Sequence, residues 1–314
     1  MVRSLWSAAT GMNAQQLNVD TIANNLANVN TVGYKSQVAQ FKSLLYQTLQ
    51  TATTTANGDP KPTSSQVGLG VRASSINNLF SQGAMLSSQS PSALAIQGNG
   101  FFAIQGPNEI TYTRNGDFTW AIMGNDLMLT TSDGSAVLDT QGQPIVVSIA
   151  RISAQYNASF DSFLAAWRAS NTNPDGTIKN PDLEEPTRAN LNSLSLVSTQ
   201  IIIDSKGGIN YSFGGLDFPL NIEVGLFQFA NVGGLERIGN SLYRPTVASG
   251  PAQNEATSPG LRQSMIAQNF LEGSNVYVAD EMVNLIVAQR AFELNSKAIT
   301  TSDEMLQTAN NLKR

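Results

Sequence analysis

Histidine and cysteine are both absent from the 314 residues of this chain. Without cysteine there is no disulfide, no thiolate nucleophile and no zinc-thiolate site. Without histidine the usual general base, the usual metal ligand and the serine-histidine triad disappear. Most hydrolase and oxidoreductase chemistry goes with them, so no catalytic residue, no metal site and no cofactor is expected. The lack of cysteine also suits a chain that ends up in an oxidising compartment. Charge is scarce too, 13% of residues against a usual figure of about 25%. A net charge of −5, with the basic residues scattered, lacks the footprint that nucleic acid or anionic lipid requires. No run of about 18 apolar residues occurs, so no membrane span is expected, and the N-terminal stretch lacks the apolar core of a cleavable secretory signal. What the chain has instead is neutral polarity, with 30 Asn, and a length that suits about two domains.

Apolar residues near the N-terminus recur at steps of three and four: Leu5, Ala8, Met12, then Val19, Ile22, Leu26 and Val29, with Gln15 the one polar member of the row. That is a heptad seam, and it predicts one long helix over 1–33, ended at Asn30-Thr31-Val32-Gly33 by residues that tolerate positive φ. The C-terminus mirrors it over 274–314. Leu285, Phe292, Ile299 and Leu306 recur every seven residues, each followed three positions later by Ala288, Asn295, Ser302 or Ala309, with Ser274 as the expected N-cap. Both seams are too narrow and too poor in large side chains to make a stable isolated pair, so packing between subunits is expected of them.

The middle changes period. Between about 71 and 150, and again from about 200, short apolar runs are punctuated by Gly98-Asn99-Gly100, Asn115-Gly116, Asp133-Gly134 and Gln141-Gly142, the texture of antiparallel β structure. The stretch 151–197 reads as an insertion. Phe160, Phe163, Leu164 and Trp167 share one helical face there, and that face must be covered either by its own β unit or by a neighbour. Val38, Phe41, Leu45 and Leu49 predict a short helix within 34–70, followed by an extended linker. The fold class is therefore α+β: N- and C-terminal helices form a coiled-coil-like terminal domain, and a central, mainly antiparallel β domain over 71–273 is interrupted by a partly helical insertion.

Enzyme signatures are weak. Gly68, Gly70 and Ala73, and Gly98, Gly100 and Ala103, match the loose dinucleotide pattern G-x-G-x-x-A, but extended structure follows each, which makes them turns. The carboxylates Asp161, Asp182, Glu184 and Glu185 of the insertion could in principle serve a cell-wall hydrolase, since glycoside hydrolysis needs only two acids and leaves no sequence spacing.

Several stretches, Tyr112 to Phe118 among them, carry a likeness. Ser4-Leu5-Trp6 through Gly11-Met12 and Ala23-Asn24-Asn25 through Asn28, Gly33 and Lys35, then Ala95 to Phe102 with Gly98, Gly100 and Phe101, and Glu281 to Ala298, resemble the signature of bacterial flagellar rod and hook proteins. Phe41 to Thr48, followed by a long linker, is similar to the segment that sets distal rod and hook subunits apart from the shorter proximal ones. The resemblance implies a non-catalytic axial subunit, exported by the flagellar type III apparatus, polymerising with itself into the distal rod outside the cytoplasmic membrane. It implies contacts with proximal rod and hook subunits and with the L and P rings, and a torque-transmitting role. A hook or proximal rod subunit is the alternative within the family. On this reading Leu5, Met12, Val19, Ile22, Leu26, Val29, Leu285, Phe292, Ile299 and Leu306 are the subunit interface, and Phe160, Phe163 and Trp167 the insertion's contact.

Overall fold

The long heptad rows at the two ends become helices, and the punctuated middle becomes short antiparallel strands. The computed structural model describes residues 2–50, 65–106, 109–124, 126–148, 200–213, 216–258 and 260–312. The chain divides into two compact units: a terminal unit of Met1–Asn30, Lys35–Ser81 and Asn275–Arg314, and a β unit of Thr31–Tyr34 and Gln82–Ser274.

The terminal unit holds α1 (Val2–Ala27), α2 (Val278–Asn311), β1 (Gln37–Ser43), β2 (Tyr46–Gln50), β3 (Ser65–Gly68) and β4 (Val71–Asn78). Strand β1 pairs antiparallel with β4 along its whole length, from Gln37 opposite Asn78 to Ser43 opposite Val71, with a bulge between Gln40 and Phe41. Strand β2 pairs with β3. The helix predicted from Val38, Phe41, Leu45 and Leu49 is thus two strands. Four apolar residues at that spacing fit either period, and β4, some thirty residues away, offers a full backbone ladder. Burial in β1 alternates accordingly: Ala39 is buried and Phe41 half-buried, while Val38 and Gln40 are exposed. The linker expected beyond β2 lies largely outside the described residues. At the other end, Ser274 is not the N-cap. Helix α2 starts at Val278, Tyr277 occupies the cap position without a side-chain bond, and Asp280 and Glu281 in the first turn favour the positive end of the dipole.

Among the described residues of the β unit, sixteen strands run from β5 (Met85–Ser87) and β6 (Leu94–Gln97) through β7 (Phe101–Gln105), β8 (Ile110–Thr113), β9 (Phe118–Met123), β10 (Asp126–Thr131) and β11 (Val146–Ser148). They continue with β12 (Ile201–Ile203), β13 (Gly208–Phe213), β14 (Leu216–Glu223), β15 (Leu226–Gln228), β16 (Glu236–Gly239), β17 (Leu242–Arg244), β18 (Gln253–Asn254), β19 (Met265–Gln268) and β20 (Phe270–Glu272). A six-stranded sheet has the order β16-β17-β8-β7-β15-β18; β11-β10-β9 and β12-β13-β14 make three-stranded sheets; β19 pairs with β6 and β20 with β5. One apolar cluster joins Leu94, Ile96, Phe102, Phe118, Leu129 and Val147 to Ile201, Ile209, Ile222 and Ile266, so residues from both sides of the stretch 149–199 enter the same core. The insertion residues Phe160, Phe163, Leu164 and Trp167 lie outside the described residues.

A second set of aromatic rings packs edge to face on the six-stranded sheet. Phe101 meets Tyr243 at 6.0 Å and Phe229 at 5.8 Å between centroids, and Tyr112 meets Phe229 at 4.9 Å. Tyr243 is fully buried, and burial pushes its phenol from the ordinary 10.0 up to about 12. Because the folded value is the raised one, the contribution is complete below pH 10 and is lost as pH climbs through about 12. A two-unit shift corresponds to about 2–3 kcal/mol. Urea titrations between pH 9 and pH 12 should show that fall, and Tyr243→Phe should remove most of it, leaving the smaller part due to Tyr112, whose phenol burial also pushes up.

Candidate assembly site of the terminal helices

The two seams meet each other within one chain. Ser4 Oγ lies 3.4 Å from Ser302 Oγ, Gly11 lies against Asn295, and Asn25 Nδ2 donates to Glu281 Oε1 at 3.0 Å. Chain directions are antiparallel, and the steps between these pairs, seven and then fourteen residues, are equal on both helices. Small residues allow the approach. A Cβ at Gly11 would sit 2.9 Å from Asn295 Nδ2, and the two buried residues of α2 are Ala288 and Ser302, both from the small row of the seam. The larger row flanks this line: Leu285, Ile299 and Leu306 are half-buried and Phe292 is 39% exposed. On α1, Ile22 is buried, while Leu5, Met12, Val19, Leu26 and the following Val29 are half-buried. A heptad row announces that a helix face has a partner without saying which, and here the first partner is the other end of the same chain.

Asn25 shows why the N-terminal asparagines sit where they do. Almost fully buried, it accepts from Gln37 N–H at 2.8 Å and donates to Gln37 O at 2.8 Å, pairing like a strand residue with the first residue of β1. Asn24 donates to Gln37 Oε1 at 3.1 Å, and Asn28 donates to the Asn24 carbonyl at 2.8 Å. These amides hold the end of α1 to the strand that follows it.

Helix α2 also carries a second apolar row, outside the heptad seam. Met282, Val283, Ile286, Val287, Leu294 and Met305 are each half or more exposed. Steps of four from Met282 to Ile286 and from Val283 to Val287, of seven to Leu294 and of eleven to Met305 keep them on one side of the helix, and that spacing was the available signal. A contiguous apolar row of this kind on an otherwise polar helix marks an interaction surface.

The remaining motif residues lie in the β unit. Gly33 has φ +68° and its N–H donates to Glu272 O at 2.7 Å. Gly98 has φ +136° in the turn between β6 and β7, and Gly100 N–H donates to Ser264 Oγ at 3.0 Å. Phe101 and Phe102 are fully buried. The glycine pattern here is therefore a strand-to-strand turn, with no helix to receive a phosphate. Beside it Arg114, 2% exposed, donates from Nη2 to Gly98 O and from Nη1 to Glu272 Oε2 at 3.3 Å, with its guanidinium 5.1 Å from the Phe101 ring centre. Burial pulls its pKa down, and the charge and hydrogen bond of Glu272 push it back up. Among the described residues no three His, Cys, Asp or Glu side chains are placed to hold a metal ion, and no helix is long and apolar enough to cross a membrane. Asp161, Asp182, Glu184 and Glu185 lie outside the described residues.

Comparison with known proteins agrees with this layout. Residues 5–35 match the family described as "Flagella basal body rod protein", residues 95–211 the "Flagellar hook protein FlgE/F/G D1 domain", and residues 267–312 the "Flagellar basal body rod FlgEFG protein C-terminal". The chain is 37% identical to the flagellar basal-body rod protein FlgG of Borreliella burgdorferi, over all of both chains. It is 37% identical to the protein of the same name in Caulobacter vibrioides, over 99% of this chain and 100% of that one. To the flagellar hook protein FlgE of B. burgdorferi it is 23% identical, again over all of both.

Proposed function

Because the chain belongs to the flagellar basal-body rod protein family, we propose that it is a structural axial subunit, polymerising with copies of itself into the distal rod that carries torque from motor to hook. Identity of 37% to FlgG against 23% to the hook protein of the same organism supports the rod over the hook. The observation that carries the polymer reading is the exposed apolar row of α2, Met282 to Met305, which one chain leaves uncovered. The exposed Phe292 and the half-buried Leu5, Met12, Leu285 and Ile299 would widen that surface and Val19, Leu26, Val29 and Leu306 complete it, with Ile22 already buried in the single chain. The whole-heptad steps between α1 and α2 support a coiled-coil-like terminal domain.

The subunit would reach its place through the flagellar type III apparatus and stand outside the cytoplasmic membrane. There it would contact proximal rod and hook subunits along the axis and the L and P rings around it. Phe160, Phe163 and Trp167 of the insertion would be covered either by their own β unit or by a neighbour. No catalysis, cofactor or nucleic acid enters this role. Sedimentation and electron microscopy of the purified full chain test it: rods or short filaments are expected on concentration, and a species that stays monomeric across all conditions that keep it folded would overturn the reading.

A further inference from the structure

Two sheets within the β unit meet edge to edge. Strand β12 is an edge of the sheet β12-β13-β14, and β19 pairs on one side with β6. On its other side Ile266, buried in the shared core, donates its N–H to Ser205 O at 2.9 Å, just past the end of β12. Two residues along, the side chain of Gln268 takes over. Its Nε2 donates to Ile201 O at 3.0 Å and to Pro91 O at 2.6 Å, and its Oε1 accepts from Ile203 N–H at 3.0 Å.

Ile266 stands opposite Ser205 and Gln268 opposite Ile203, two residues forward on one strand and two back on the other, which is the register of an antiparallel pair. In a regular pair the Gln268 carbonyl would accept from Ile203 N–H. Here the side-chain carbonyl does so, at the point where Asn269, with φ +63°, bends β19 out of extended conformation. A primary amide offers the same donor and acceptor as a peptide group, so Gln268 supplies what the next stretch of a straight strand would have supplied.

We infer that Gln268 acts as a rung of the strand pair β19–β12, joining β6-β19 to β12-β13-β14 as one five-stranded sheet and closing the edge of β12 to a strand of a second copy. An edge strand with unpaired N–H and C=O groups is a template for another chain. The run Ile201-Ile202-Ile203 is β-branched and uncharged throughout, which makes it a strong template. Ile201 and Ile203 are buried in the core, while Ile202 is 39% exposed. Without the Gln268 amide, Ile203 N–H and Ile201 O lose their partners on the same edge, and one incoming strand satisfies both. In a solution of the pure chain, that strand belongs to another copy. The closure lies wholly inside the β unit and holds whatever the terminal helices assemble with.

Gln268→Met in the full-length chain tests it, because methionine keeps the shape of the side chain and removes its amide. Exchange of the Ile203 amide should quicken at least tenfold, while the amides of β7, Phe101 to Gln105, keep their rates. At a concentration where the unmodified chain stays monomeric, the variant should form oligomers that bind thioflavin T. Adding Ile202→Lys puts a charge on the exposed side of β12, and should suppress those oligomers while Ile203 still exchanges fast. An unchanged rate at Ile203, or an equal rise at Ile203 and β7, would overturn the inference. So would a variant that stays monomeric although Ile203 exchanges fast, or oligomers that Ile202→Lys does not reduce.

Discussion

Val287→Asp is expected to abolish filament formation while the β unit unfolds at its original denaturant concentration. Val287 is 62% exposed in the single chain, and an exposed helical valine exchanged for aspartate changes monomer stability by about 0.5 kcal/mol. In a polymer the same position enters a dry contact, where a carboxylate without a partner costs several kcal/mol. The cost recurs at every subunit added, so the concentration needed for growth rises by more than a hundredfold for each 3 kcal/mol or so. Its neighbour Ala288 gives the contrast. One residue on, about 100° around the helix, Ala288 is 1% exposed, and Ala288→Asp should separate α1 from α2 in the monomer as well. Sedimentation, electron microscopy and helical circular dichroism of the two variants distinguish the surfaces. Filaments of Val287→Asp growing at the unmodified chain's concentration would place the subunit contact elsewhere.

Those two neighbours also mark how far the sequence could be read. The terminal helices were legible because heptad rows over twenty or more residues admit one period. The β unit was legible because turn dipeptides recur between short apolar runs. Residues 37–50 were not, since four apolar residues at helical spacing say nothing of β4, whose ladder decides their conformation. The destination of the seams was illegible for a related reason. A row of leucines and alanines fits another copy as well as the chain's own far end, and the pairings of Ser4 with Ser302, Gly11 with Asn295 and Asn25 with Glu281 settle which is met first. Buried charge was the least legible of all. Arg114 and Glu272 look like ordinary surface residues 158 positions apart, and nothing local announces that the topology removes both from water.

That pair carries the largest expected effect on monomer stability. Arg114→Met should cost about 3–5 kcal/mol, because it leaves the Glu272 carboxylate buried without its cation. The exposures of the two side chains, 2% and 1%, leave no route for solvent to screen the loss. Adding Glu272→Gln to Arg114→Met should restore part of the stability: a neutral amide no longer needs the guanidinium, and its oxygen can still accept from Gly83 N–H, which now bonds Oε1. A double variant more stable than Arg114→Met alone would therefore show that the stranded charge, rather than lost packing against Phe101, dominates. Urea unfolding of the full chain, followed by circular dichroism at neutral pH, measures both steps. Losses that simply add, with the double variant the least stable of the three, would mean that the carboxylate finds another partner once the arginine is gone, and that the ion pair contributes through shape more than through charge.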